Sequence, residues 1–313
     1  MHTPHTPATD RTSPAKGASP IELVVISGKG GTGKTSIVGA FAALASGAVL
    51  ADCDVDAADL HLLLQPEPLR RETFRAGHRA VIRTEDCRRS GTCKEVCRFD
   101  AVQVHDPGPN ARYEIDPVAC EGCGVCVHFC PEQAIDFPES ISGEWFVSRT
   151  RHGPLVHARL GVAEENSGKL VTLVRQAARK IAVEQESRLL ITDGPPGIGC
   201  PVIASITGAS QVLAVTEPTL SGQHDLERVL QLAGHFGIPA MVCINKVDLN
   251  PEMAAKIEAA CAERDVPVAG RIRYDPAVTE AQVAGRSIIE YGDTPAAHDI
   301  RALWATLSRE WAS

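Results

Sequence analysis

No apolar run in the 313-residue chain approaches the ~18 residues of a bilayer-crossing helix, so no membrane span is expected. Excess positive charge is missing too. With 31 Lys and Arg against 39 Asp and Glu the net charge is −8, which argues against a general nucleic-acid surface. Residues 1–20 are rich in Thr, Pro and His and lack an apolar h-region, so they read as a disordered tail and not as a secretory signal. The composition, 44% hydrophobic and 22% charged, is that of a soluble globular protein with room for one large domain or two.

Cysteine is what the chain has in excess. Seven of its 11 cysteines lie within residues 87–130 at short spacings. In a chain of this size without an export signal, that clustering points to metal or iron–sulfur ligation in a reducing cytoplasm and not to disulfides. "CRRSGTCKEVC" (87–97) and "CEGCGVCVHFC" (120–130) superpose at an offset of 33 residues, and Ser90 falls where the second copy has Cys123. The second copy, with Pro131, is the C-x2-C-x2-C-x3-C-P run of bacterial ferredoxins, whose soft thiolates suit cluster iron. Zinc is the alternative, although its ligands usually come as separated C-x2-C pairs.

In two-cluster ferredoxins the fourth cysteine of each run ligates the other cluster. One 4Fe–4S cluster would then take Cys97, Cys120, Cys123 and Cys126. The other would take Cys87, Cys93 and Cys130, with Ser90 at the open corner. A serine oxygen is a harder, weaker donor to cluster iron. The first site is therefore a 3Fe–4S cluster, a 4Fe–4S cluster with one labile or serine-bound iron, or empty. Arg98, in place of the proline after the fourth cysteine, is a further departure from the ferredoxin pattern.

Short β-branched runs at 21–28, 48–54, 188–193, 211–217, 240–245 and 266–272 alternate with helical patterns near 35–46, 166–186, 221–236, 251–264 and 275–284. That alternation predicts an α/β fold, a doubly wound and mostly parallel sheet. It breaks between about 66 and 150. The expected organisation is a discontinuous α/β domain, 21–66 and 150–313, with an inserted α+β, two-cluster ferredoxin-like domain at 67–149.

"GKGGTGKT" (28–35) fits G-x-x-x-x-G-K-[ST] between a predicted strand and a predicted helix. Its glycines let backbone N–H groups approach phosphate, and the helix N-terminus favours the negative charge. Gly28, Lys29, Gly30, Gly31, Thr32, Gly33, Lys34, Thr35 and Ser36 are the candidate nucleotide ligands, with Lys34 on the β- and γ-phosphates and Thr35 on Mg2+. "NKVD" (245–248) ends a predicted strand, where Asn245 would read the base with Asp248; alone, that motif suggests guanine.

"KGGTGKT" resembles the deviant Walker A motif of the MinD/ParA family, which includes the nitrogenase iron protein and Mrp-type carriers. The resemblance implies that Lys29 reaches across an ATP-sandwiching homodimer to the partner's phosphates, and it favours ATP over GTP. "ADCDVDAADL" resembles switch I, with Asp54 positioning the attacking water and Asp52 and Asp56 as alternatives. "LLITDGPPG" resembles Walker B and switch II, with Asp193 holding Mg2+ through water. Lys29, Lys34 and Asp54 are thus the catalytic candidates. Residues 21–313 as a whole resemble the MinD-superfamily ATPases with an inserted ferredoxin domain, including "GPLVHARLGVAEENSGKLV" (153–171), where Asn166 or Ser167 would cap a helix. Cys200 matches a cluster-ligating cysteine of the nitrogenase iron protein, and two Cys200 thiols are expected to approach across the dimer. Cys53, Cys243 and Cys261 read as buried apolar residues.

Seven arginines against three acids in residues 70–89 are either a solvated hairpin edge or a docking patch for an acidic redox partner. Ile300, Leu303, Trp304, Leu307 and Trp311 at helical spacing predict a helix docked on the parent domain. The expected function is a cytoplasmic, ATP-gated carrier of electrons from ferredoxin-type clusters to a partner protein. The alternative is an ATPase that assembles or carries clusters or metallocofactors for an apo-acceptor. A positioning ATPase with a redox sensor is disfavoured by the acidic surface and the lack of a basic tail.

Overall fold

The β-branched stretch Ile21–Ser27 forms β1, buried along nearly its whole length, in a computed structural model that describes residues 19–161 and 167–311. Helix α1 (Lys34–Leu44) leads to β2 (Val49–Asp52), the five-residue α2 (Leu60–Leu64) and a long strand β3 (Glu67–His78). A small module follows: β4 (Val81–Ile82), α3 (Thr92–Val96), β5 (Val102–His105), β6 (Arg112–Ile115), α4 (Val125–Phe129) and β7 (Ile135–Asp136). The chain returns through β8 (Glu139–Thr150) and β9 (Gly153–Leu160), which run antiparallel to each other. The remaining elements alternate: α5 (Ser167–Glu184), β10 (Leu189–Pro196), α6 (Cys200–Ile206), β11 (Gln211–Thr216), α7 (Leu220–His235), β12 (Ala240–Asn245), α8 (Pro251–Ala262) and β13 (Val268–Ile272). Three helices close the chain: α9 (Ala277–Val283), α10 (Ile288–Tyr291) and α11 (Pro295–Glu310).

The nine-stranded sheet has the order β13-β12-β11-β1-β10-β2-β9-β8-β3. It is parallel from β13 to β9, as the alternating pattern predicts, and antiparallel across β9, β8 and β3. The β3/β8 pair is therefore an arm continuous with the main sheet, and the cysteine module sits at its far end.

Alternate residues of β1 face opposite layers. Leu23 and Val25 pack with Ile37, Phe41, Ile300, Leu303 and Leu307 on one side. Val24 and Ile26 pack with Val202, Val229 and Ile257 on the other. Helix α5 covers the third cluster, over β2 and β9. The C-terminal helix docks on the parent domain as its spacing predicts, with the Trp304 ring 5.0 Å from Phe41. Side-chain caps fix the helix starts: Thr219 on α7, Asn250 on α8 and Thr294 on α11 each accept a backbone N–H. Ser167 is the first residue of α5, and Asn166, the other expected cap, lies outside the described residues together with residues 1–18.

The arginine-rich stretch is not an open positive field. Arg70 pairs with Glu72, Arg71 with Glu144, and Arg83 with Asp86 and Asp136, while Arg89 donates to the Pro109 carbonyl. Arg70 and Arg71 also lie over the rings of Trp145 and Phe146. Glu72 and Asp86 are partners within the stretch, while Glu144 on β8, Asp136 on β7 and the Pro109 carbonyl are distant in sequence, so the local count of arginines overstated the free charge.

Candidate nucleotide and thiol sites

The loop between β1 and α1 turns on Gly31 (φ 79°) and Gly33 (φ 90°), a left-handed conformation that favours glycine. A Cβ on Gly33 would come within 2.4 Å of Asn245 Nδ2, so the loop is packed as well as bent. Beside it opens a cavity of about 550 Å³, the size of a small-molecule site. It lies at the carboxyl ends of the parallel strands, where ligands bind in such sheets.

Lys34 is only 5% exposed and its Nζ stands 3.7 Å from Asp54 Oδ2. Burial raises the Asp54 pKa and the Lys34 charge partly offsets that rise. The two switch I alternatives are placed differently. Asp52 is fully buried and accepts from the backbone N–H groups of Asp54 and Leu60, so it shapes the loop. Asp56 is exposed.

Asp193, opposite Asp52 in the β10–β2 register, is completely buried. Thr35 and Lys34 face it, yet neither carboxylate oxygen makes a hydrogen bond of normal geometry. Burial pushes its pKa up to about 7, against the lowering effect of Lys34. An orphaned carboxylate next to the loop's Thr35 fits a hydrated divalent cation.

Lys29 does not line the cavity. Its Nζ is 3.5 Å from Glu217 Oε2 and within reach of the Thr219 and Ser221 hydroxyls at the start of α7. Glu217 also holds Lys246 at 2.5 Å, so one carboxylate ties two lysines.

The N-K-x-D residues are engaged internally. Asn245 lines the cavity, but its Nδ2 donates to the Thr32 carbonyl at 2.8 Å. Asp248 accepts from the Tyr274 backbone N–H at 2.7 Å and does not line the cavity. The residues that do line that end include Arg273, Tyr274, Asp275 and Thr279, which sequence reasoning missed. Their one legible signal was position, just after the carboxyl end of β13. Ser36 is reached by Gln282, whose Nε2 donates to its hydroxyl.

In the module at the end of the arm, Cys97, Cys120, Cys123 and Cys126 line one small cavity with Phe99, Val125 and Phe137. These are the four thiols the ferredoxin spacing groups together. Cys87, Cys130 and Cys126 are the thiols near enough to influence Cys93, whose pKa burial raises to about 11. The Cys130 sulfur accepts from the Ala134 N–H at 3.3 Å. Among the described residues no group of three or more His, Cys, Asp or Glu is arranged to hold a single metal ion; the four thiols surround a space instead of a point. Cys53, Cys243 and Cys261 are buried, and Cys200 is exposed at the start of α6.

Helix α2 links the two sites. Its Leu62 and Leu63 line the nucleotide cavity, and its first N–H is held by Asp52. Its Leu63 carbonyl accepts from Arg151 at the β8–β9 turn at 2.7 Å, and its C-terminus feeds directly into β3.

Three comparisons bear on this geometry. The uncharacterized protein MJ0578 of Methanocaldococcus jannaschii is 34% identical over 237 residues, covering 74% of this chain and 79% of that one. Over 46 residues the chain is 44% identical to a component of the Na(+)-translocating ferredoxin:NAD(+) oxidoreductase complex of Acetobacterium woodii, 15% of this chain and 13% of that one. The fold is similar to that of the septum site-determining protein MinD complexed with Mg-ADP from Pyrococcus horikoshii, with a TM-score of 0.57 and 15% identity over 93% of this chain and 97% of that one. Residues 23–288 match the family described as the CobQ/CobB/MinD/ParA nucleotide binding domain. With a glycine-rich loop between β1 and α1 and a match over most of its length, the chain belongs to that nucleotide-binding family.

Proposed function

We propose that the protein is an ATP-dependent iron–sulfur protein, in which ATP binding and hydrolysis by a homodimer gate electron transfer from ferredoxin-type clusters to a partner protein. The observation that carries this reading is the connection through α2 and the β3/β8 arm: β2, which leads into the loop that holds Asp54, and the arm that carries the thiol module at its far end belong to one hydrogen-bonded sheet.

Lys34 turns from Asp54 to the β- and γ-phosphates when nucleotide enters, which frees Asp54 to orient water. Thr35 and Asp193 would hold Mg2+, which supplies charge to the phosphates and relieves a buried carboxylate left without a donor. Lys29 leaves Glu217 to reach the partner subunit's nucleotide. The internal engagement of Asp248 supports ATP over GTP, because a guanine reader needs that carboxylate at the base.

A soft donor set around an apolar-walled cavity fits an iron–sulfur cluster held by Cys97, Cys120, Cys123 and Cys126. Bound there, a cluster supplies a one-electron store. The chain's part is to shield it with Phe99, Val125 and Phe137 and to move the arm with switch I.

The test is an anaerobic, EPR-monitored redox titration with and without Mg-ATP. Reversible clusters whose potentials move with ATP are the expected result. Unmoved potentials with iron passing to an apo-acceptor would sink the electron carrier and favour the assembly factor, a reading that the missing thiolate at Ser90 supports.

A further inference from the structure

The two halves of the cysteine module repeat in backbone as well as in sequence. At the common offset of 33 residues, α3 superposes on α4 and the start of β5 on the start of β7. Cys87 N–H donates to the Arg83 carbonyl and Cys120 N–H to that of Asp116, both at 3.1 Å. The C-terminal cysteines of the two short helices have nearly equal angles, φ −77° and ψ 114° at Cys97 against φ −70° and ψ 113° at Cys130.

The match is closest around the missing ligand. Cys123 lies between two left-handed residues, Gly122 (φ 62°) and Gly124 (φ 73°). Ser90 lies between Arg89 (φ 64°) and Gly91 (φ 81°), and Ser90 and Cys123 are both exposed. A non-glycine residue in this conformation is strained. Gly122 is obligatory, since a Cβ there would stand 2.2 Å from the His78 carbonyl oxygen; Arg89 carries a Cβ in the same conformation, and its guanidinium donates to the Pro109 carbonyl. The first half thus keeps the strained loop that presents a ligand, although the residue it presents is a serine.

We infer that Ser90 stands at a ligand position of a first iron–sulfur site made by Cys87, Cys93 and Cys130, and that the iron at this corner is exchangeable. The inference rests on the iron–sulfur reading proposed above. A protonated hydroxyl is a poor donor to cluster iron, so water competes for that corner while the three thiolates hold the rest. The exchange involves no change of oxidation state: a dicationic four-iron cluster releases one ferrous ion and leaves a neutral three-iron cluster, and uptake is the reverse.

Anaerobic EPR and Mössbauer spectra with iron counts on the full chain test this. After oxidation the unsubstituted protein should show a three-iron signal, and its Mössbauer spectrum should convert from three-iron to four-iron when ferrous ion is added with dithionite but not with dithionite alone. Ser90→Cys should lack that signal and carry about one more iron per chain. Ser90→Ala should retain it. Cys123→Ser should give the second half the same exchangeable corner, a check that does not depend on altering the first loop. Four-iron signals only, untouched by a ferrous chelator and identical in Ser90→Cys, would overturn the inference. A chain that loads only the second half overturns it while leaving the proposed function standing; a chain that loads no iron in either half removes both.

Discussion

At the residue scale, the site's chemistry is governed by burial. The folded pKa of Asp193, about 7, lies above the ~3.9 of an unfolded aspartate, so the folded state binds the extra proton between those values. Its contribution to stability is fully present below about pH 4 and is lost as pH rises through 7. Asp193→Asn should therefore raise the melting temperature of the nucleotide-free protein at pH 8 and have much less effect at pH 4.5, while removing Mg-dependent hydrolysis. An equal shift at both pH values would show that the carboxylate is not buried in its charged form. Lys34→Ala should lower hydrolysis about a hundredfold or more, the scale of a lost phosphate donor, as measured by phosphate release. Asp248→Ala should leave the ATP-to-GTP preference unchanged in a competition assay, because its carboxylate serves the Tyr274 backbone. A switch in preference would return Asp248 to the base site. Asp54 and Asp52 were equally legible as acids in sequence. Only the two backbone N–H groups folded onto Asp52 separate their roles, and those depend on a turn geometry that spacing does not specify.

At the element scale, the parallel strands other than β9 were legible because they are short apolar runs bounded by turn residues, and the central ones, β1, β2, β10 and β11, are buried on both faces. The arm was not. Strand β3 reads "EPLRRETFRAGH", and its outward charges are stabilised by partners on β8, so no apolar alternation marks it as a strand. Strand β9 gave no strand signal either, because His157 and Arg159 interrupt it and its place beside β2 is a long-range pairing. Helix α10 is short but firmly tied: Glu290 completes a capping box with Ser287 and also takes Arg151 and His152. Burial would raise the Glu290 pKa, but the Arg151 and Ser287 donors outweigh it and bring the value down to about 2. Its contribution is present above the ordinary glutamate pKa and fades as pH falls toward 2. Glu290→Ala should cost about 1–3 kcal/mol by denaturant unfolding at pH 7, and less at pH 3. Leu303→Ala, in the fully buried seam of α11, should cost about 2–5 kcal/mol at either pH.

At the scale of the whole molecule, the proposed gating runs from the nucleotide site to the module through a helix of only five residues. Arg151→Ala removes the bond to the Leu63 carbonyl and with it the clamp at that helix's far end. ATP binding should persist while the ATP-induced change in cluster potential shrinks, read by paired redox titrations; an undiminished change would place the coupling elsewhere. The same arm has a consequence for solubility. Strand β3 is the last strand of the sheet among the described residues, twelve residues long, and none of them adds a strand to one side of its backbone. An edge of that length is a template on which other chains add strands and aggregate. Here Pro68 removes one donor, three irregularities bend the ladder, and Arg70, Arg71, Glu72 and Arg75 place charge along it. Arg70, Arg71 and Arg75 thus also suit the role of gatekeepers, charge that keeps a long exposed margin from recruiting its own kind.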